Sequence, residues 1–150
     1  MSAAITLTSD FGYVVLSLVA LNLHYSTSSR YVMALRKKYG VQYPDMGNGR
    51  YAAKLTDAQW HEFNSAQRVH QNYLEQLPTV NTMVLLSGLF NPTWTAGLTG
   101  AYIIGRQIYI HGYIHSGPQA RLRGSALFWP AFFGLVGIAA HGAIKSLGYL

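Results

Sequence analysis

Arg68, Asn72 and Glu75 stand at i, i+4 and i+7 within the stretch FNSAQRVHQNYLEQLP, residues 63–78. On a helix that spacing puts a guanidinium, an amide and a carboxylate on one face. The outer two lie about 10 Å apart along the axis, roughly the length of an extended tripeptide. A second set, Arg106, Tyr109 and Tyr113, follows at i, i+3 and i+7 and offers a facing wall of one cation and two phenols. Ionisable groups at membrane depth are costly and are functional candidates by default. The alternative is that Arg68 and Glu75 pair within a bundle or extend to its interface, because polar membrane residues often serve helix packing. Spacing alone leaves both readings open.

Those residues must be held by helices, and four apolar segments supply them. The first begins at Phe11 with the 13-residue run FGYVVLSLVALNL and continues to the basic cluster RKKYG. That run is shorter than the roughly 20 residues of a full span. A signal peptide is the alternative, but the N-terminal stretch has no Lys or Arg and carries Asp10, which favours an uncleaved first helix. The second segment opens near Trp60 and runs through the polar stretch into TVNTMVLLSGLF, with Pro78 expected to kink it. NPT (residues 91–93) reads as a tight turn into a third helix. SGPQARLRG breaks that helix before SALFWPAFFGLVGIAAHGAIKSLGYL supplies a fourth. The expected spans are about 11–35, 60–90, 94–115 and 124–148, with a loop at about 36–59. Glycines at 97, 100, 105, 134, 137 and 142 suit close helix approach in lipid. The expected fold is all-α, an integral membrane four-helix bundle forming a single domain.

Composition agrees with that class. Half of the 150 residues are hydrophobic and only 11% are charged, against roughly 25% in soluble domains. Mean hydropathy is +0.13, low for a chain of pure membrane spans. The net charge of +6 does not point to nucleic acid, because five of the eleven basic residues (Arg30, Arg36, Lys37, Lys38, Arg50) share one segment. A membrane-proximal basic loop fits better. Loop one (Arg36, Lys37, Lys38, Arg50, Lys54) and loop three (Arg121, Arg123) hold the basic excess, so both are expected in the cytosol with both termini lumenal. There is no cysteine, so any thiol chemistry must use the substrate's thiol.

RKKYGVQYP after the first apolar segment, FN..QR.HQN..E..P opening the second and GR..Y..GY...GP in the third together resemble the membrane-associated eicosanoid and glutathione metabolism (MAPEG) family. The likeness covers most of residues 30 to 124; the fourth segment matches only in character, and residues 47 to 60 differ from the family's usual loop. The resemblance implies a homotrimer in the endoplasmic reticulum membrane, with sites at subunit boundaries that open toward the cytosol. It implies glutathione as co-substrate and a lipophilic electrophile or lipid hydroperoxide as second substrate. Arg68, Asn72 and Glu75 match the family's glutathione residues on the second helix, and Arg106, Tyr109 and Tyr113 those on the third. Arg36 matches an arginine that reaches the tripeptide from the next subunit, and His70 falls at a contact made across the same boundary. Arg121 falls at the arginine that stabilises the thiolate, with Arg123 as its rival. The same fold also serves non-catalytic lipid-binding helpers, which lack the full arginine set.

The chemistry suits those positions. Glutathione carries two carboxylates and one ammonium; arginine forks bind carboxylates and a glutamate suits the ammonium. A free thiol has a pKa near 8.5, and an adjacent guanidinium favours the thiolate. Two departures argue against dedicated leukotriene C4 synthesis. Gln76 stands where leukotriene-forming relatives carry a tyrosine, and Lys37 where they carry a second arginine. His24, His111, His115 and His141 are scattered in the sequence, and no metal site is expected. LFWPAFF reads as an interfacial aromatic belt.

Overall fold

The structure, a computed structural model, describes residues 8–149. Four long helices account for most of them: α1 Phe11–Tyr39, α2 Asp57–Gly88, α3 Pro92–Ser116 and α4 Arg121–Ser146, with short 3-10 turns at Ala52–Lys54 and Pro118–Ala120. The described residues contain no strand, so the all-helical class stands.

Each helix end has a local cause. α1 outlasts the expected boundary by one turn and stops where Gly40 turns left-handed at φ 67°, its N–H bonding the Arg36 carbonyl. Arg36, Lys37 and Lys38 sit in that last turn, where cations suit the carbonyl end of the helix dipole. α2 begins at Asp57, earlier than expected. Thr56 and Gln59 form a reciprocal capping box, a T-x-x-Q signal present in the sequence and passed over. The helix continues through Pro78 to Gly88, and Thr82 Oγ1 donates to the Pro78 carbonyl at 2.9 Å. Asn91 caps α3 by accepting from the Trp94 N–H, with Pro92 at the first helical position. There the missing proline N–H costs nothing. α4 starts at Arg121, so Arg121 and Arg123, expected ahead of the fourth span, occupy its first turn.

The expectation of four apolar spans needs qualification. Among the described residues, only the segment Pro118–Ser146 is long and apolar enough on its own to cross a membrane. The other three helices place polar side chains against one another. Asn22 and Asn81 join their amides at 3.1 Å, His24 Nδ1 meets the Tyr73 hydroxyl at 2.9 Å, and Ser28 meets His70 Nδ1 at 2.8 Å. These pairs zip α1 to α2, which is why both helices read as too polar when taken singly.

The principal core cluster draws Leu21 from α1, Tyr73 and Val80 from α2, Tyr102 and Tyr109 from α3, and Phe128 from α4. α3 and α4 are in closest contact. A Cβ on Gly105 would lie 2.7 Å from the Phe128 backbone nitrogen, and one on Gly124 would collide with the Tyr109 backbone. Gly105, Gly134 and Gly142 therefore serve close approach as expected. Gly97, Gly100 and Gly137 make no such approach within the chain, where nothing lies within 4 Å of a Cβ. Gly112 and Gly124, absent from the sequence expectation, are tight contacts instead.

The loop between α1 and α2 is ordered by one buried carboxylate. Asp45 accepts from the backbone N–H groups of Gly47, Gly49, Tyr51 and Ala52 at 2.8–2.9 Å. The Ala52 N–H contributes most, and with the other three it outweighs desolvation and holds the Asp45 carboxyl at about 2. Trp60 Nε1 and Asn64 Nδ2 both donate to the Gly47 carbonyl, and Gln67 donates to that of Met46, tying the loop to the first turns of α2.

Candidate functional site

The two expected residue sets, one on α2 and one on α3, meet at a single bond between Asn72 and Arg106. Its side chain is fully buried. Nη1 donates to Asn72 Oδ1 at 3.0 Å and to Gln76 Oε1 at 3.3 Å. The guanidinium carbon lies 4.2 Å from the Tyr73 ring centroid, 4.9 Å from Phe128 and 5.0 Å from Tyr109. Aromatic faces attract a desolvated cation, but they supply no hydrogen-bond acceptors in the plane of the fork. Nε and Nη2 are buried without a partner, and the ion pairs among the described residues do not include Arg106. A buried guanidinium held by amides and rings, with two N–H edges unsatisfied, is suited to a carboxylate.

Arg68 and Glu75 behave differently. They are more than half exposed, at 56% and 57%, and they pair directly at 3.5 Å. The separation of about 10 Å between their backbone positions is thus bridged by the side chains, the pairing that spacing alone left open. An exposed pair of this kind contributes about 0–1 kcal/mol, so a ligand with carboxylates and an ammonium displaces it at small cost. Asn72, at i+4 from Arg68, joins that exposed edge to buried Arg106.

Gln76 was marked in the sequence only as a departure. Its Oε1 accepts from both the Tyr102 hydroxyl, at 3.0 Å, and Arg106. It therefore helps to fix the buried guanidinium. Its i+4 relation to Asn72 was the available signal. Tyr109 is buried beside Arg106, and Tyr113 is buried beyond it, the two ring centroids 5.9 Å apart.

The remaining expected residues are not gathered here within one chain. His70 points away from Arg68, bonded to Ser28 and stacked on Tyr25 at 5.2 Å. Arg36 is buried at the end of α1, where Nη1 donates to the Val41 carbonyl at 3.1 Å and the guanidinium lies 4.2 Å from the Tyr43 ring centroid. Its Nε has no partner.

The rival arginines separate by helix face. The buried stripe of α4 runs Gly124, Phe128, Ala131 and Leu135, and Arg121 heads it three residues before Gly124. Arg121 reaches back to α3, its guanidinium carbon 5.9 Å from the Tyr113 ring centroid. Arg123 is two residues, or about 200°, around the helix from Arg121 and lies off that stripe; both side chains are exposed. Beside Glu75 and Gln76 a cleft of about 200 Å³ opens between α2 and α4, walled by Thr79, Val80, Trp129 and Phe132.

A family model supplies the matching frame. The MAPEG family model matches residues 14–141, and the chain belongs to that family. The family is membrane-associated, its members generally use glutathione, and it contains glutathione transferases and peroxidases as well as non-enzymatic activating proteins.

Proposed function

We propose that the chain is a membrane-bound glutathione transferase with glutathione-dependent peroxidase activity, acting on lipophilic electrophiles or lipid hydroperoxides. Within its family it most resembles microsomal glutathione transferase type 3. The observation that carries this reading is the buried Arg106 with two unpartnered N–H edges. A buried guanidinium left partly unsatisfied is costly in a bundle that only packs.

Arg68 and Arg106 take the glutathione carboxylates, Glu75 takes the ammonium, and Asn72, Tyr109 and Tyr113 line the tripeptide. In a homotrimer, Arg36 and His70 serve the site of the adjacent subunit. Arg121 holds the sulfur as thiolate, helped by the amides at the start of α4. The thiolate attacks an electrophilic carbon held in the α2–α4 cleft, forming a C–S bond as the leaving group departs with its electron pair. With a hydroperoxide, sulfur attacks the terminal oxygen, releasing the alcohol. A second glutathione then condenses with the sulfenic acid to give the disulfide and water.

The chain is read as four spans in the endoplasmic reticulum membrane, with loop one and the site on the cytosolic side. Tags at both termini should then be protected from protease in sealed microsomes, while a tag in residues 47–55 is cut.

The alternative is a non-catalytic lipid-binding helper resembling the five-lipoxygenase activating protein. That type lacks the full arginine set, whereas Arg36, Arg68, Arg106 and Arg121 are all present here. Calorimetric titration of detergent-solubilised protein with glutathione, followed by mass spectrometry of products from a lipophilic electrophile and a lipid hydroperoxide, separates the two. Saturable binding with conjugate or disulfide formation is expected; lipid binding without glutathione binding would install the helper.

A further inference from the structure

His111 and His115 are far from the tripeptide residues even though they share a helix with them. On α3, Arg106, Tyr109 and Tyr113 are buried toward α2 and α4. At 100° per residue, His111 and His115 fall roughly half a turn around the helix from Arg106. Both are exposed. They stand at i and i+4, one above the other, with ring centroids 4.5 Å apart and planes tilted by 48°.

Two other histidines of the bundle, His24 and His70, are engaged. His24 bonds Tyr73 and Gln107, and His70 bonds Ser28. No hydrogen bond within the described residues engages His111 or His115. We infer that this pair is a two-histidine site for a divalent late transition cation: Zn²⁺, Cu²⁺ or Ni²⁺.

Neutral imidazole nitrogen is a preferred donor for these ions. Two nitrogens that bind one cation at about 2.0–2.1 Å each sit about 3 Å apart. The observed ring separation reaches that arrangement by side-chain rotation, with the α3 backbone unchanged. α3 contains no acidic residue, and the described residues form no cluster of three or more candidate ligands. The protein therefore supplies two positions and water the others. That makes an open, exchangeable site rather than a structural centre. A bound cation joins the last two turns of α3 just ahead of the Gly117–Pro118 break, holding a helix end that its own carbonyls leave unsatisfied.

The inference does not depend on the glutathione reading, since the two faces of α3 share no side chain. The test uses the full chain in detergent, purified on a tag without histidine, stripped with EDTA and titrated with Zn²⁺ or Ni²⁺ in the absence of glutathione. One cation per chain is expected. His111→Gln and His115→Gln should each weaken binding at least tenfold, and the double variant should abolish it. Both positions are exposed, and helicity measured by circular dichroism checks that the variants fold. His141→Gln, on exposed α4 surface, should bind as the parent does. No binding by the parent, or binding that survives the double substitution, overturns the site.

Discussion

Arg106 Nη1 lies 3.0 Å from Asn72 Oδ1, and that bond connects the buried guanidinium to the helix that carries Arg68 and Glu75. The amide fixes one edge of the fork while Nε and Nη2 stay without partners. Lysine keeps the charge but loses the planar fork. Arg106→Lys should therefore leave a folded bundle that binds glutathione more weakly by about 1.5–3 kcal/mol, roughly ten- to 150-fold. Calorimetry on the two proteins, with matched circular dichroism, measures this.

The exposed Arg68–Glu75 pair should matter to ligand and not to fold. Breaking it should change stability by no more than about 1 kcal/mol. Losing one charge-assisted bond to the tripeptide should cost about 1.5–3 kcal/mol of affinity. Arg68→Ala and Glu75→Gln are thus expected to melt with the parent and bind glutathione weakly. Equal binding by parent and variants would move the tripeptide off this face.

The α3–α4 contact predicts a contrast between two glycines. A methyl group at Gly124 collides with the Tyr109 backbone, whereas one at Gly137 meets nothing within 4 Å. Gly124→Ala should destabilise by about 1–3 kcal/mol through overpacking and displace Tyr109 within the site. Gly137→Ala should be neutral or stabilising by up to about 1 kcal/mol. Thermal denaturation in one detergent compares them.

Sequence alone made the four helices and the residues of the α2–α3 wall legible, because both rest on periodicity. Arg68, Asn72 and Glu75 do share a face, and Arg106, Tyr109 and Tyr113 do line one side of α3. What periodicity could not show was which side chains close on each other. Arg68 and Glu75 pair because two long flexible side chains on an open face can cover the two turns between them. Gln76 stood out only as a departure, because its partners, Tyr102 and Arg106, are 26 and 30 residues away and no local pattern joins them. Asp45 was missed for a related reason. Its four partners are backbone amides of the following residues, and no side-chain pattern announces them.

The loop should carry its own pH dependence. Asp45 sits at about 2, below its ordinary 3.8. A depressed carboxyl contributes order that is fully present above the unfolded value and is lost as pH falls through the folded one. Limited proteolysis within residues 45–55 should therefore stay slow above about pH 4 and accelerate as the pH drops toward 2. Asp45→Asn should show the fast cleavage already at neutral pH, since an amide offers a single acceptor oxygen to four N–H groups.

The most direct test of the account is the ionisation of bound glutathione. Difference ultraviolet spectra at neutral pH should show thiolate absorbance when glutathione is added to the parent protein. The same should hold for Arg123→Ala, whose side chain lies off the buried stripe of α4. Arg121→Ala should keep much of its affinity through Arg68, Glu75 and Arg106 but show little thiolate signal. Signal and turnover should return as the pH is raised past the free thiol value near 8.5. A thiolate signal unchanged in Arg121→Ala, or absent from the parent at saturating glutathione, would contradict the assignment of this arginine and of the chemistry built on it.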